Sequence, residues 1–207
     1  MPHLDPATFG PAAGVLQTWV LPVLLGLGLA SATGLRTFLP LLMLAVAARF
    51  GLFGVTLNDH LSWLGSIPAI AALGVAAVVE FTGDKIPVVD HALTVIGAFV
   101  RPIAGAIAAA SVFAGLDPTT AAVAGIIVGA PTAFAFNAVQ GGTRLTSTAT
   151  TGGLGNPVLS FIEDVLSFGM VLVAFLAPLI VPVVLVVFAV LLFRLANRLR
   201  DRPVRAG

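Results

Sequence analysis

Twelve residues, Glu80-Phe81-Thr82-Gly83-Asp84-Lys85-Ile86-Pro87-Val88-Val89-Asp90-His91, hold three carboxylates and the only lysine of the chain. Long apolar runs flank them on both sides. Glu80 and Asp84 are four apart, so on a continuing helix they share one face. Two carboxylates in a low-dielectric setting cannot both stay ionised and unpaired. They share a proton, bind a cation or find an arginine. Glu80 and Asp84 are accordingly the candidates for a metal ion, of a kind the sequence leaves open. The plainer alternative is a polar helix end, with Glu80 snorkelling and Asp84, Lys85 and Asp90 in water around Pro87.

Arg36, Arg101 and Arg144 also interrupt apolar or small-residue surroundings. An arginine at the bilayer centre costs roughly 2.5–3.5 kcal/mol on insertion scales, so it seeks a carboxylate, a carbonyl or an anionic ligand. Glu80, Asp90, Glu163 and Asp164 are the available acids. Two outcomes are open: ion pairs that lock helices together, or a polar cavity for a charged substrate. Glu163-Asp164 follow Asn156-Pro157 and are expected in the first turns of a helix, where negative charge is favourable. Being adjacent, they point to different faces, so one can turn inward. Asn137 and Gln140 end a small-residue stretch and read as interhelical hydrogen-bonding glue.

The elements that must position these groups are helices in lipid. The chain has 207 residues, 58% hydrophobic and 9% charged, with a mean hydropathy of +1.10. An ordinary soluble domain is roughly 25% charged. A spanning helix takes about 20 apolar residues, and the runs are continuous rather than alternating, which excludes a β-barrel reading. The fold class is therefore all-α: a polytopic transmembrane helical bundle of six or seven spans. A short lead covers 1–13, a single integral membrane domain 14–200 and a basic tail 201–207. Arg194, Arg198, Arg200, Arg202 and Arg205 follow the last apolar run, which puts the C-terminus in the cytoplasm by the positive-inside rule. Localisation is to the cell membrane, as a multi-pass protein.

Two segments are expected to be broken or re-entrant. From Ala13 to Phe50 one straight helix would be about 57 Å long, against a hydrocarbon core of about 30 Å. The break is placed near 31–36, at Ser31-Ala32-Thr33-Gly34, and the segment over 35–50 either crosses or forms half of a re-entrant hairpin. The second is 141–155, where Gly141-Gly142 and a Ser/Thr-rich run follow a helix over 119–138. Irregular backbone at membrane depth is tolerated where it is buried or lines water. Helices are further expected over 64–81, 90–114, 157–177 and 179–199. An internal repeat is also legible. Gly34-Leu35-Arg36-Thr37 pairs with Gly142-Thr143-Arg144-Leu145-Thr146, and Asp90-His91-Ala92-Leu93-Thr94 with Glu163-Asp164-Val165-Leu166-Ser167. Gly and charge at corresponding places in two halves point to a transporter site.

Catalysis finds little support. There is no cysteine, hence no thiolate site. His3, His60 and His91 are scattered, and no HExxH is present. Thr82-Gly83-Asp84 lacks the first glycine of the Gly-x-Gly-Asp of intramembrane aspartyl proteases, with Phe81 in its place. Gly125 and Gly129 serve close helix packing. No cofactor and no nucleic-acid partner is expected. The partners are the lipid bilayer and a small ion or anionic solute, with homo-oligomerisation open.

One set of motifs, in order, resembles a known family. It comprises Gly34-Leu35-Arg36-Thr37-Phe38-Leu39-Pro40, Glu80 with Asp84-Lys85-Ile86-Pro87-Val88-Val89-Asp90-His91, Arg101-Pro102-Ile103-Ala104-Gly105, and Asn156-Pro157-Val158-Leu159-Ser160 with Glu163-Asp164. The chain is similar over roughly 20–180 to the bacterial integral-membrane family catalogued as domain of unknown function 4126. The resemblance implies a membrane protein with no assigned activity. Members often carry a histidine and a lysine near the positions of Asn137 and Gln140, and this chain departs from them there. A looser likeness is to small cation/proton exchangers with Glu-x-Gly-Asp-Lys. Glu80-Phe81-Thr82-Gly83-Asp84-Lys85 has one residue more, which turns the acids by about 100° on a helix.

The functional expectation is a small secondary transporter or permease for an ion or small charged solute. Its pathway would be built from Arg36, Glu80, Asp84, Asp90, Arg101, Arg144, Glu163 and Asp164. Cation/proton exchange is slightly favoured, because acids outnumber arginines in these motifs. The alternatives are a non-transporting scaffold or assembly factor with internally paired charges, and a transporter of an anionic lipid or phosphate-bearing solute.

Overall fold

The structure, a computed structural model, describes residues 14–200. The lead over 1–13 and the tail over 201–207, with Arg202 and Arg205, lie outside the described residues. The described chain is helical, with no strand. Its α-helices are α1 (Leu21–Leu35), α2 (Phe38–Phe50), α3 (Ile67–Gly83), α4 (Pro87–Ser111), α5 (Pro118–Thr151), α6 (Asn156–Leu176) and α7 (Val181–Arg200).

Four stretches are long and apolar enough to cross a membrane: Leu16–Leu35, Ala92–Ser111, Pro118–Thr151 and Asn156–Leu176. The bent pair Asp59–Gly65 and Ile67–Gly83, inclined at 63°, makes a fifth if it acts as one span. Two further apolar helices, Phe38–Phe50 and Pro178–Leu191, are shorter. A count of six or seven is reached only if one or both of these also cross.

The first break lies at Arg36-Thr37, slightly later than Ser31–Gly34. Arg36 is extended, at φ −135° and ψ 122°. The cause is Pro40. Proline lacks the N–H that would bond the carbonyl four residues back, and its ring clashes with that carbonyl, which here belongs to Arg36. Ser31 and Thr33 remain helical and turn their hydroxyls back to the carbonyls of Leu27 and Leu29, at 2.7 and 2.5 Å.

α1 runs antiparallel to α6. Ser167 Oγ donates to Ala32 O at 3.1 Å and Arg36 Nη2 donates to Ser160 O at 2.7 Å, while Gly28 lies against Ala174. α2 runs back the other way, since Phe53, just past its end, stacks on Phe175 near the end of α6 with ring centroids 5.6 Å apart. α1 and α2 therefore form a helical hairpin with Arg36-Thr37 at its tip, inside the protein. Buried Leu29, Ala32, Leu41 and Leu44 of the hairpin pack with Ala104, Ala108 and Val171 of α4 and α6 into the apolar core.

The second break falls at the end of the expected 141–155, in the turn over 152–155. α5 continues to Thr151, and the backbone turns only at Gly152 and Gly153, both in the left-handed region at φ 63° and 89°. Within 141–151 the hydroxyls bond back along their own helix instead of drawing the backbone into a turn. Thr146 Oγ1 donates to Gly142 O at 2.9 Å, Thr150 Oγ1 to Thr146 O at 2.8 Å and Thr151 Oγ1 to Ser147 O at 2.7 Å. Low hydropathy marks this stretch as polar, not as irregular.

α4 and α5 touch through glycine, as expected of Gly125 and Gly129. A Cβ on Gly125 would lie 2.6 Å from Ala106 O, and one on Gly129 would run into the carbonyl of Gly105. Gly129→Val is expected to cost about 1–3 kcal/mol by overpacking. Gly141→Ala, where an added Cβ meets nothing within 4 Å, is expected to be neutral or stabilising by up to about 1 kcal/mol. Thermal unfolding of the two variants in detergent, read by loss of monodisperse protein, checks the contrast.

Candidate functional site

Glu80 projects from α3 to the hairpin tip. Its Oε1 accepts from Thr37 N at 2.9 Å and its Oε2 from Phe38 N at 3.1 Å. The first N–H groups of a helix lack intrahelical acceptors, and a carboxylate there also meets the positive end of the helix dipole. Glu80 thus caps α2 from a different helix. Glu80→Gln keeps the shape but replaces one acceptor oxygen with an N–H₂ group. The loss is expected at about 1–3 kcal/mol, the cost of an unsatisfied buried donor, and a lowered melting temperature would reveal it.

Around this cap the other charged groups converge. Arg36, its side chain 2% exposed, pairs through Nη1 with Asp84 and donates from Nη2 to Ser160 O and Oγ, both at 2.7 Å. Its Nε lies 2.6 Å from Asp164 Oδ1, close enough for an ion pair, but the N–H is not directed at that oxygen and forms no hydrogen bond. Arg144 is the hub. It pairs with Asp90 through Nη1, and its Nη2 lies 3.1 Å from Asp84 Oδ2 and 2.5 Å from Glu163 Oε2. Arg101 donates from Nη1 to Asn137 Oδ1 at 2.9 Å and to Gln140 Oε1, and its Nη2 lies 3.7 Å from Glu80 Oε1. Gln140 Nε2 passes the connection on to Glu163 Oε2 at 2.8 Å.

All eight charged residues singled out in the sequence thus meet in one network. Asp84 and Asp90 are not in water at a helix end. Their side chains are 1% and 7% exposed, because Arg36 and Arg144 draw them inward. Lys85 does lie outside, its Nζ bonded to Phe81 O at 3.0 Å and seated over the Phe81 ring. Glu163 and Asp164 are the eighth and ninth residues of α6 rather than part of its first turn. That places them about 10 Å along the axis from the helix start, too deep for the helix dipole to be their main partner. Glu80 and Asp84 share a helix face but face different partners. Among the described residues, no group of three or more His, Asp or Glu is arranged to hold a metal ion.

Asn137 and Gln140 make interhelical hydrogen bonds, as read from the sequence. Thr37, Ser160 and Asn156 also belong to the network, and their only signal in the sequence is position in or next to the charged motifs. Arg36 and Arg144, which the sequence pairs as a possible repeat, reach the same two oxygens, Asp84 Oδ2 and Glu163 Oε2. Their backbones differ, extended at Arg36 and helical at Arg144.

Two cavities touch the network. One, of about 450 Å³, lies between α2, α3 and α6 and reaches Arg36, Glu80 and Asp164. The other, of about 150 Å³, lies at the turn after α5 and reaches Asp90, Arg144 and Asn156. The ionic groups between them form an unbroken chain of contacts through Asp84 and Glu163.

Apolar helices packed around such a network fit the class of multi-pass helical membrane proteins, in which buried charges must pair with one another or with backbone. Within that class, the family described as Domain of unknown function (DUF4126) matches residues 23–198, and the chain belongs to that family. No curated protein and no solved structure matches the chain.

Proposed function

We propose that this chain is a small secondary transporter for an ion or small charged solute, with cation/proton exchange as its chemistry. The observation that carries the reading is a charge imbalance. The network holds five carboxylates, Glu80, Asp84, Asp90, Glu163 and Asp164, against three guanidiniums, Arg36, Arg101 and Arg144. If all are ionised, two negative charges stand uncompensated. Each uncompensated buried ion costs several kcal/mol even after relaxation, so the network takes up protons or a cation. Exchange between those two ways of neutralising the same acids is the minimum an exchanger needs.

The two cavities support the same reading, because each brings solute to a different end of the network. An anionic substrate fits less well, since every arginine already contacts a carboxylate. On this reading the C-terminus is cytoplasmic and the smaller cavity opens toward that side. A second reading, a non-transporting scaffold or assembly factor, is favoured by the closed pairing of Arg144 with three acids and by the capping role of Glu80.

Purified protein in proteoliposomes with an imposed pH gradient separates the two. Exchange requires uptake of at least one cation from a panel of monovalent and divalent ions, above that of protein-free vesicles. Folded, correctly inserted protein that moves none of them contradicts the transporter reading.

A further inference from the structure

The larger cavity has more apolar room than an ion needs. Pockets of about 300–1,000 Å³ with apolar walls and a few placed polar groups suit small organic molecules. Here the walls are Leu39, Leu42, Val78, Phe81, Val165 and Phe168. Of these, Val78, Phe81, Val165 and Phe168 are also exposed on the outer face, so the cavity is reached from the lipid side.

Its floor is ionic, and most of that floor is committed. Both oxygens of Glu80 hold backbone N–H groups, and both terminal nitrogens of Arg36 hold Asp84 and Ser160. Two polar atoms are left over. Arg36 Nε, on a side chain 2% exposed, and Asp164 Oδ2, an atom itself buried in this conformation, have no hydrogen-bond partner. Asp164 is also the most accessible acid of the network, its side chain 18% exposed against 7% or less for the other four. Two carboxylates and one guanidinium give the floor a formal charge of −1. An anionic head would meet net repulsion there and a neutral one would leave the charge uncompensated, whereas a cation with an N–H donor answers the charge, and a rotation of the Asp164 carboxylate presents the free acceptor to it.

We infer that this cavity binds a lipophilic monocation, an ammonium group on a short apolar body, with its head against Asp164 and its body among the apolar walls. The inference rests on the exchanger reading and names its substrate class: the ammonium supplies one of the two positive charges the network lacks. The substrate reaches the site sideways from the membrane.

The test is titration calorimetry of the full-length protein in lipid nanodiscs with octylammonium, with octanoate and octanol as controls of equal chain length. Empty nanodiscs give the lipid partitioning to subtract. The expected result is saturable binding of octylammonium, tighter than either control by about tenfold or more. Asp164→Asn weakens it by about tenfold. Gly74→Phe, at a wall position where an added Cβ meets nothing within 4 Å, fills the cavity and abolishes it while the protein stays folded. Equal affinity for the three compounds, or octylammonium binding unaltered by Gly74→Phe, overturns the assignment. A chain that exchanges inorganic cations for protons yet does not bind octylammonium overturns it too, and leaves the exchanger reading standing. Binding without any proton-coupled flux keeps the cavity assignment and removes the exchange.

Discussion

Arg144→Met is expected to destabilise the protein more than any other single substitution in the network. Arg144 contacts Asp84, Asp90 and Glu163, and all three are buried. Breaking a buried pair by removing one partner costs about 3–5 kcal/mol, because the other charge stays buried and uncompensated. Asp90 has no other guanidinium, while Asp84 and Glu163 keep Arg36, and total stabilities are only about 5–15 kcal/mol. Methionine matches the length of the arginine stem, so the loss reports charge rather than volume. The companion variant Arg144→Met/Glu163→Gln is expected to recover part of the stability, because one stranded charge has gone. Thermal melts of the wild type, both single variants and the double variant give the coupling energy directly. A single variant as stable as the wild type would show that Arg144 is not the hub.

Asp164→Asn is expected to behave in the opposite way, with stability kept and transport lost. Asp164 has a single ion-pair partner, Arg36, and Arg36 retains Asp84 and Ser160 without it. Removing one acid also reduces the surplus of negative charge, so the melting temperature should hold or rise. Flux should fall by at least about tenfold, roughly 1.4 kcal/mol in an equilibrium constant, because the accessible acid at the cavity floor no longer ionises. Melting and vesicle uptake measured on the same preparation check both halves. The contrast with Arg144→Met separates groups that hold the network closed from the group that opens it to solute.

How far the sequence led can be judged from these same residues. Charge is so scarce in this chain that Arg36, Glu80, Asp84, Asp90, Arg101, Arg144, Glu163 and Asp164 stood out individually, and the structure brings all of them together. The hairpin was half legible. Length demanded a break after the first helix, but Pro40 acting on the Arg36 carbonyl fixed it later than the glycine suggested. The segment over 141–151 was misjudged because its Ser and Thr side chains read as loop-forming, whereas here they bond back along their own helix. That arginines would pair with acids was legible, but which with which was not. Nothing local says that Glu80 will cap α2 or that Gln140 will join Arg101 to Glu163, since those contacts depend on how three or more helices cross. The ordered motifs did suffice for the family, whose match at 23–198 runs further toward the C-terminus than the motifs themselves.

The most direct test of the central claim follows cation uptake and lumenal pH together in the same proteoliposomes, for the wild type and for Asp164→Asn. If acids in excess over arginines exchange protons for a cation, the lumenal pH shifts in step with uptake in the wild type, and both signals disappear in the variant. Cation uptake with no pH change, or equal signals from the two proteins, would contradict the account.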